Sequence, residues 1–421
     1  MSVEPSSPAS SLPSPSPAAG PVERRPDPRP ASPGSGSLER ASWLLSAFYP
    51  LLPLTGVGAH AWSGHEIALG LPLLLSYGLM PLADWLLGED DRPRPEAELA
   101  VRQHDRFYRW LTWIAVPMHL IALLGCAFWA GTQALSPGGL LLLAVVAGIG
   151  SGLGLNTGHE LGHQRTRAEQ WLARVVLALP FYGHFTVEHG QGHHRWVATP
   201  LDPASARMGE SIYRFALREM PGGVRRAWQL EAERLARLGR GPWSPANAIL
   251  PSWALSLALH AALTLAFGWP MLLFLLVHDV VAWWQLTCAN YVEHYGLLRE
   301  RRPDGRWEPP QPHHAWNANH RASNRVLFNL QRHADHHANP GRRYQTLRDL
   351  PDLPRLPTGY FGMFPLACVP PLWFRVMDPR LLALPQVRGD LDRVNRDPRA
   401  ARGRPDRPDG PRAPDRSSPR A

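Results

Sequence analysis

Charge disappears from this chain for long stretches. Between Leu111 and Gly158 there is no Asp, Glu, Lys or Arg, and the same holds from Asn247 to His278. A hydrocarbon core roughly 30 Å thick is crossed by about 20 residues of helix. The first stretch therefore predicts two membrane-spanning helices, broken over residues 132–139 (TQALSPGG). Residues 247–289 predict two more, broken at Gly268-Trp269-Pro270, and residues 41–62 and 66–87 a third pair around Ser63-Gly64-His65. The expected fold is all-α and integral to a membrane, with six transmembrane helices in three hairpins.

The connecting segments carry the orientation. Three short uncharged turns fall on one side. The N-terminal arm, Glu89–Arg109, Glu160–Arg240 and everything after Glu293 fall on the other, with nearly all the arginines. The positive-inside rule makes that second side cytoplasmic, together with both termini. Residues 1–40 hold ten prolines among Ser, Ala and Gly, and residues 381–421 hold seven more among Arg and Asp. Neither end has the apolar surface to offset the entropy of ordering. A disordered arm and tail are expected to flank a membrane domain at 41–380, and the arm lacks the apolar run of a secretory signal.

Composition changes this picture little. The 421 residues include 44 basic and 35 acidic side chains, net +9, and every basic one is Arg. That charge alone would suggest nucleic acid, but its placement makes it a topology signal and a headgroup contact, and no nucleic-acid partner is expected. The mean hydropathy of −0.23 reads as soluble only because the two ends and the long charged loops dilute the spans. Three cysteines without a CxxC exclude a disulfide framework, a Cys-rich zinc module and a fused rubredoxin or plant-type ferredoxin.

The chemistry lies in the histidines. Of 19, thirteen fall within 159–194 and 294–337, beside helix ends on the cytoplasmic side. Three boxes stand out: His159-Glu160-Leu161-Gly162-His163, Glu188-His189-Gly190-Gln191-Gly192-His193-His194, and Gln331-Arg332-His333-Ala334-Asp335-His336-His337. On a helix, positions i, i+3 and i+4 share a face, so 159/163, 189/193 and 333/336/337 can each aim imidazoles at one point. Eight such histidines exceed what one tetrahedral metal can use, which argues for two metals. Glu160, Glu188, Glu293 and Asp335 stand close enough in sequence to accept the second ring N–H of a ligand. Histidines alone in a span, such as His60, His119 and His260, read as satisfied or pore-facing. His184, His313, His314 and His320 read as supporting or loop residues. The first box alone fits an intramembrane HExxH zinc metalloprotease, which would leave six histidines idle. A metal transporter would place its ligands in mid-span.

Together with Asn290-Tyr291-Val292-Glu293-His294-Tyr295-Gly296-Leu297, the boxes resemble the integral-membrane alkane monooxygenases of bacteria. The NYxEHYGL run separates these from the more distant fatty-acid desaturases. LNTGHELGHQ at 155–164, VATPLDPASARMGESIY at 197–213 and PHHAWNANH at 312–320 extend the likeness over roughly residues 40 to 380. Gln164 and Gln191 depart from it, standing where relatives often carry Lys.

The resemblance implies a six-span fold in the cytoplasmic membrane with a helical, His-rich cytoplasmic cap. It implies nine ligands for two non-haem iron ions: His159, His163, His189, His193, His194, His294, His333, His336 and His337. It also implies O2 as co-substrate, terminal hydroxylation of n-alkanes to 1-alkanols, and electrons from a separate rubredoxin reduced by a flavin-dependent rubredoxin reductase. A desaturase or an aromatic-methyl monooxygenase is the nearer alternative. In Leu75-Ser76-Tyr77-Gly78, Ser76 stands where some relatives carry a tryptophan thought to block the substrate tunnel, so an open tunnel and longer alkanes are expected. A small residue for helix packing is the other reading of Ser76.

Overall fold

The computed structural model describes residues 35–90 and 92–401. Its principal helices are α1 (Pro53–Ser63), α2 (Glu66–Leu87), α3 (Arg106–Thr132), α4 (Pro137–Gly162), α5 (Arg167–Ala178), α6 (Ile212–Arg237), α7 (Leu250–Phe267), α8 (Trp269–His294), α9 (His333–Ala338), α10 (Tyr360–Ala367) and α11 (Pro370–Leu382). Among the described residues there is no β-strand, only isolated bridges such as Glu89 with His320.

Five helices are long and apolar enough to cross a membrane: α2, α3, α4, α7 and α8. Their ends follow local chemistry. The Asp105 side chain accepts from the Phe107 amide to start α3, and the Ser136 hydroxyl accepts from the Gly139 amide to start α4. Gly268, at φ 83°, breaks the chain between α7 and α8. The stretch expected as the first span is in pieces. Leu44–Phe48 is helical, Tyr49–Leu51 is a 3₁₀ turn, and α1 starts at Pro53. Pro50 and Pro53 lack the amide hydrogens that a continuous helix needs there. α2 is irregular too, opening as 3₁₀ helix and widening to a π turn at Leu75–Leu79.

α4 is the central helix, packed against both α3 and α8. Small residues let it approach so closely. A Cβ on Gly148 would come within 2.6 Å of the His278 carbonyl oxygen, one on Gly152 would collide with the Gln285 side chain, and one on Gly158 would meet Leu177 at 2.6 Å. The innermost helix thus delivers the first histidine box.

The C-terminal segment corrects an expectation. Residues 381–397 are packed rather than loose, with Leu381, Val387 and Val394 all buried. The Asn395 amide donates to the Gly296 carbonyl at 2.9 Å, the Met208 amide donates to the Asn395 carbonyl at 2.7 Å, and Arg214 pairs with Asp397 at 2.7 Å. A few well-spaced apolar anchors and paired backbone suffice where average composition suggests disorder. Residues 1–34 and 402–421, the rest of the expected arm and tail, lie outside the described residues.

Candidate metal centre

His159 lies on the last turn of α4 and His163 caps it. His189 and His193 sit in a π-helical turn, Glu188–His193, that runs directly into His194–Trp196. His294 is the last residue of α8, and α9 carries His333, His336 and His337. All nine converge, in two groups. His159, His163, His189, His194 and His336 form one and His193, His294, His333 and His337 the other, with the ligand atoms of each group within 4.8 Å of one another.

The partition cuts across the boxes. His189 and His193 do not share a target: His189 meets His194, Nε2 to Nε2 at 3.0 Å, while His193 turns to the second group. The wider π turn is the reason, because it brings positions five apart into register where an α-helix aligns those four apart. Likewise His336 faces the first group, while His333 and His337, four apart, face the second at 2.9 Å.

These donors fit metal ions. Nε2 atoms point at one another between His159 and His336 (2.8 Å), His194 and His336 (3.2 Å), and His294 and His333 (3.2 Å). Nε2 of His163 and of His193 is buried with no hydrogen-bond partner. Burial pushes His163 down to about 4, and burial with neighbouring imidazoles pushes His189, His194, His333, His336 and His337 well down too. Neutral imidazoles with converging lone pairs call for cations, and nitrogen-only donor sets suit iron, zinc, copper or nickel.

The supporting contacts differ from the expected ones. Asp202, which sequence spacing did not single out, holds His193: its Oδ2 lies 2.9 Å from Nδ1 and leaves Nε2 for the group. Burial disfavours charge on His193, but Asp202 outweighs it and raises the imidazole. Glu188 bonds no ligand ring; it and Asp202 share the guanidinium of Arg226. Glu160 accepts from Gln164 at 3.2 Å and from the Tyr344 amide at 3.3 Å, an orientation unlike that of a hydrolase base. Asp335 is held by Arg348 at 2.7 Å and by Asn339. Of the four expected carboxylates, Glu293 alone meets a ligand imidazole, and at its inward nitrogen: Oε2 is 3.3 Å from His333 Nε2, while Oε1 accepts from the Tyr360 hydroxyl at 2.9 Å. The His294 Nδ1 lies 3.2 Å from the His314 carbonyl oxygen.

A cavity leads away from the histidines into the spans. Next to the metal groups it is lined by His159, His189, Glu293 and His333 together with Asn156, Leu286, Ala289 and Leu330. The last four also line an adjoining cavity whose far walls are Tyr77, Gln285 and the aromatic residues of α10. Ser76 is buried but lines neither, and its hydroxyl is 3.0 Å from that of Tyr49. The histidines read as non-ligands do lie elsewhere. His60 bonds Trp129, His119 bonds Thr157, His260 bonds Asp279, and His184 packs on Tyr182 and Trp283. His314 faces Glu308 at 3.2 Å, beside His313. His320 approaches Glu89 at 3.7 Å.

Residues 135–367 match the fatty acid desaturase family. Alkane 1-monooxygenase 1 of Alcanivorax borkumensis is 50% identical over 361 residues, 86% of this chain and 89% of that protein. Alkane 1-monooxygenase of Pseudomonas putida is 51% identical, over 84% of this chain and 87% of its own length. That of Ectopseudomonas oleovorans is also 51% identical, over 84% and 88%. With nine histidines gathered into two groups that could each hold a metal ion, and likeness along most of its length, the chain belongs to the alkane 1-monooxygenases, within the fatty acid desaturase family.

Proposed function

We propose that the protein hydroxylates the terminal methyl of n-alkanes, consuming O2, two electrons and two protons and releasing a 1-alkanol and water. The observation that carries this reading is a pair of adjoining, mostly apolar cavities between α2, α4, α8 and α10, the inner of which ends on histidines of both groups. Iron bound by the two groups supplies the O2 reduction and C–H oxidation that no side chain here performs. The protein's own part is placement. An alkane offers no polar handle, so a narrow apolar channel must hold it end-on and lead with the methyl, which favours a primary product although that C–H bond is the stronger one. Leu286, Ala289 and Leu330 form the last apolar walls before the histidines, and Tyr360 fixes the Glu293 carboxylate at the channel's end.

The topology supporting this is six spans in three hairpins, with the broken segment 44–63 as the first span and the histidines in a cytoplasmic cap. Gly64 at φ 71° turns that segment into α2, as a hairpin requires. The arginine-rich segments fall on the histidine side, and that asymmetry supports cytoplasmic termini and residence in the cytoplasmic membrane. The three cysteines form no CxxC of the kind that holds a rubredoxin iron, and the likeness to alkane hydroxylases favours a separate rubredoxin, reduced by a flavin-dependent reductase, as the electron donor.

Purified protein should contain iron at both groups. Cells expressing it with rubredoxin and reductase should convert n-alkanes to 1-alkanols by gas chromatography. Zinc in place of iron, or only internal alkenes or benzylic alcohols from matched substrates, would replace this reading.

A further inference from the structure

On the mostly apolar wall of the outer cavity, Asn156 donates to the Leu327 carbonyl and Tyr360 to Glu293, and one further polar pair joins two of its walls. Tyr77 on α2 donates its hydroxyl hydrogen to Gln285 Oε1 on α8 at 2.5 Å, and both residues line the cavity. Two local features hold the pair there. The π turn at Leu75–Leu79 narrows the angle between consecutive side chains, so Ser76 and Tyr77 both turn inward, Ser76 to Tyr49 and Tyr77 to the cavity. Gly152 leaves room for the Gln285 stem, since a Cβ there would overlap it, so the stem lies flat on α4 with its amide directed at Tyr77.

We propose that the Tyr77–Gln285 hydrogen bond is a bar across the hydrocarbon channel, set at a fixed depth, that discriminates alkanes by length. This rests on the alkane-hydroxylase reading above. Gln285, Ala289 and Glu293 follow one another at i, i+4 and i+8 on α8, so the bar stands eight residues, roughly 12 Å, below Glu293. Carbon–carbon bonds of about 1.5 Å at about 111° advance an extended chain by roughly 1.25 Å per carbon, so about ten carbons fill that depth. A shorter alkane reaches the histidines with the bar closed. A longer one must part Tyr77 from Gln285 and leave a phenol and an amide facing hydrocarbon with no partner, a cost of about tenfold in binding. Removing either polar partner abolishes that cost, because the remaining one is unpaired whether or not a long chain is bound.

The test is direct competition between octane and hexadecane with wild type, Tyr77→Phe and Gln285→Leu, together with a thermal-shift measurement of each alkane on the purified proteins without turnover. The expected result is a hexadecane-to-octane product ratio about five- to tenfold above wild type in both variants, matched by a larger hexadecane-induced stabilisation. A product ratio and an alkane-induced shift that stay at wild-type values in both variants would overturn the bar. Failure of the wild type to hydroxylate octane as well would instead overturn the underlying reading.

Discussion

Asp202 Oδ2 stands 2.9 Å from His193 Nδ1, brought there by the loop that follows the short helical turn His194–Trp196, and the same carboxylate is tied to Arg226 at 2.8 Å. This is a carboxylate–imidazole pair of the kind that sets tautomer and ring angle in a metal ligand. Asp202→Asn should weaken metal binding by the four-histidine group about 10- to 100-fold and leave the five-histidine group loaded. Metal analysis after graded chelation, on variant and wild type, gives the answer. Equal loss from both groups would show that Asp202 does not act through His193.

The partition itself is testable one histidine at a time. His336→Ala should cost the metal of the five-histidine group, and His337→Ala, one residue on, that of the four-histidine group. If both variants lose the same metal, the grouping is wrong.

Ser76 touches Tyr49 and not the channel, so Ser76→Trp must act by displacing Tyr49, which packs with Phe361 at a ring distance of 6.0 Å. Phe361 does line the channel. The expected outcome is a shorter preferred alkane together with a lowered Tm, because an indole is driven into a buried site only 1% exposed. An unchanged product profile in a destabilised protein would assign Ser76 to helix packing alone.

Glu219 accepts from Thr287 at 2.8 Å and from Asn290 at 3.1 Å, with Glu188 repelling and Arg218 attracting its charge from further off. Burial, reinforced by Glu188, pushes it up from 4.5 to about 7. Below about 4.5 folded and unfolded chains both hold this proton; up to about 7 only the folded chain keeps it. Stability from this group therefore falls as pH rises through that window and is level above it. Glu219→Gln should flatten the decline in Tm between pH 5 and 8, and parallel curves for variant and wild type would refute it.

If the proposed electron donor is an acidic rubredoxin steered by the arginine-rich segments, rubredoxin-dependent turnover should weaken with rising salt, mainly through KM. Salt-independent kinetics would remove charge steering from the account.

The ends of the spans were legible because their signals are local: a Pro, a Gly or a capping Ser at a boundary acts within one turn. All nine histidines could be named, since ligand spacing and the NYxEHYGL run are features of short segments. Which histidines stand together in each group could not be read. That depends on the π turn at Glu188–His193 and on α9 meeting α4 and α8, and box spacing assumes regular helix. Asp202 escaped for the same reason, since a loop rather than a helical period brings it to His193. The packed segment after residue 380 was hidden by composition, where Val387 and Val394 are outnumbered by Pro and Arg but happen to face a waiting surface.

That segment has a practical consequence for anyone shortening the protein. Cutting at residue 380 would appear to shed only a proline-rich extension. It would in fact strip the backbone donor from the Gly296 carbonyl, two residues beyond His294, and both backbone partners from Met208, six beyond Asp202. Deletions, tags and fused electron carriers belong after Asp397, where the chain has finished bracing the segments next to His294 and Asp202.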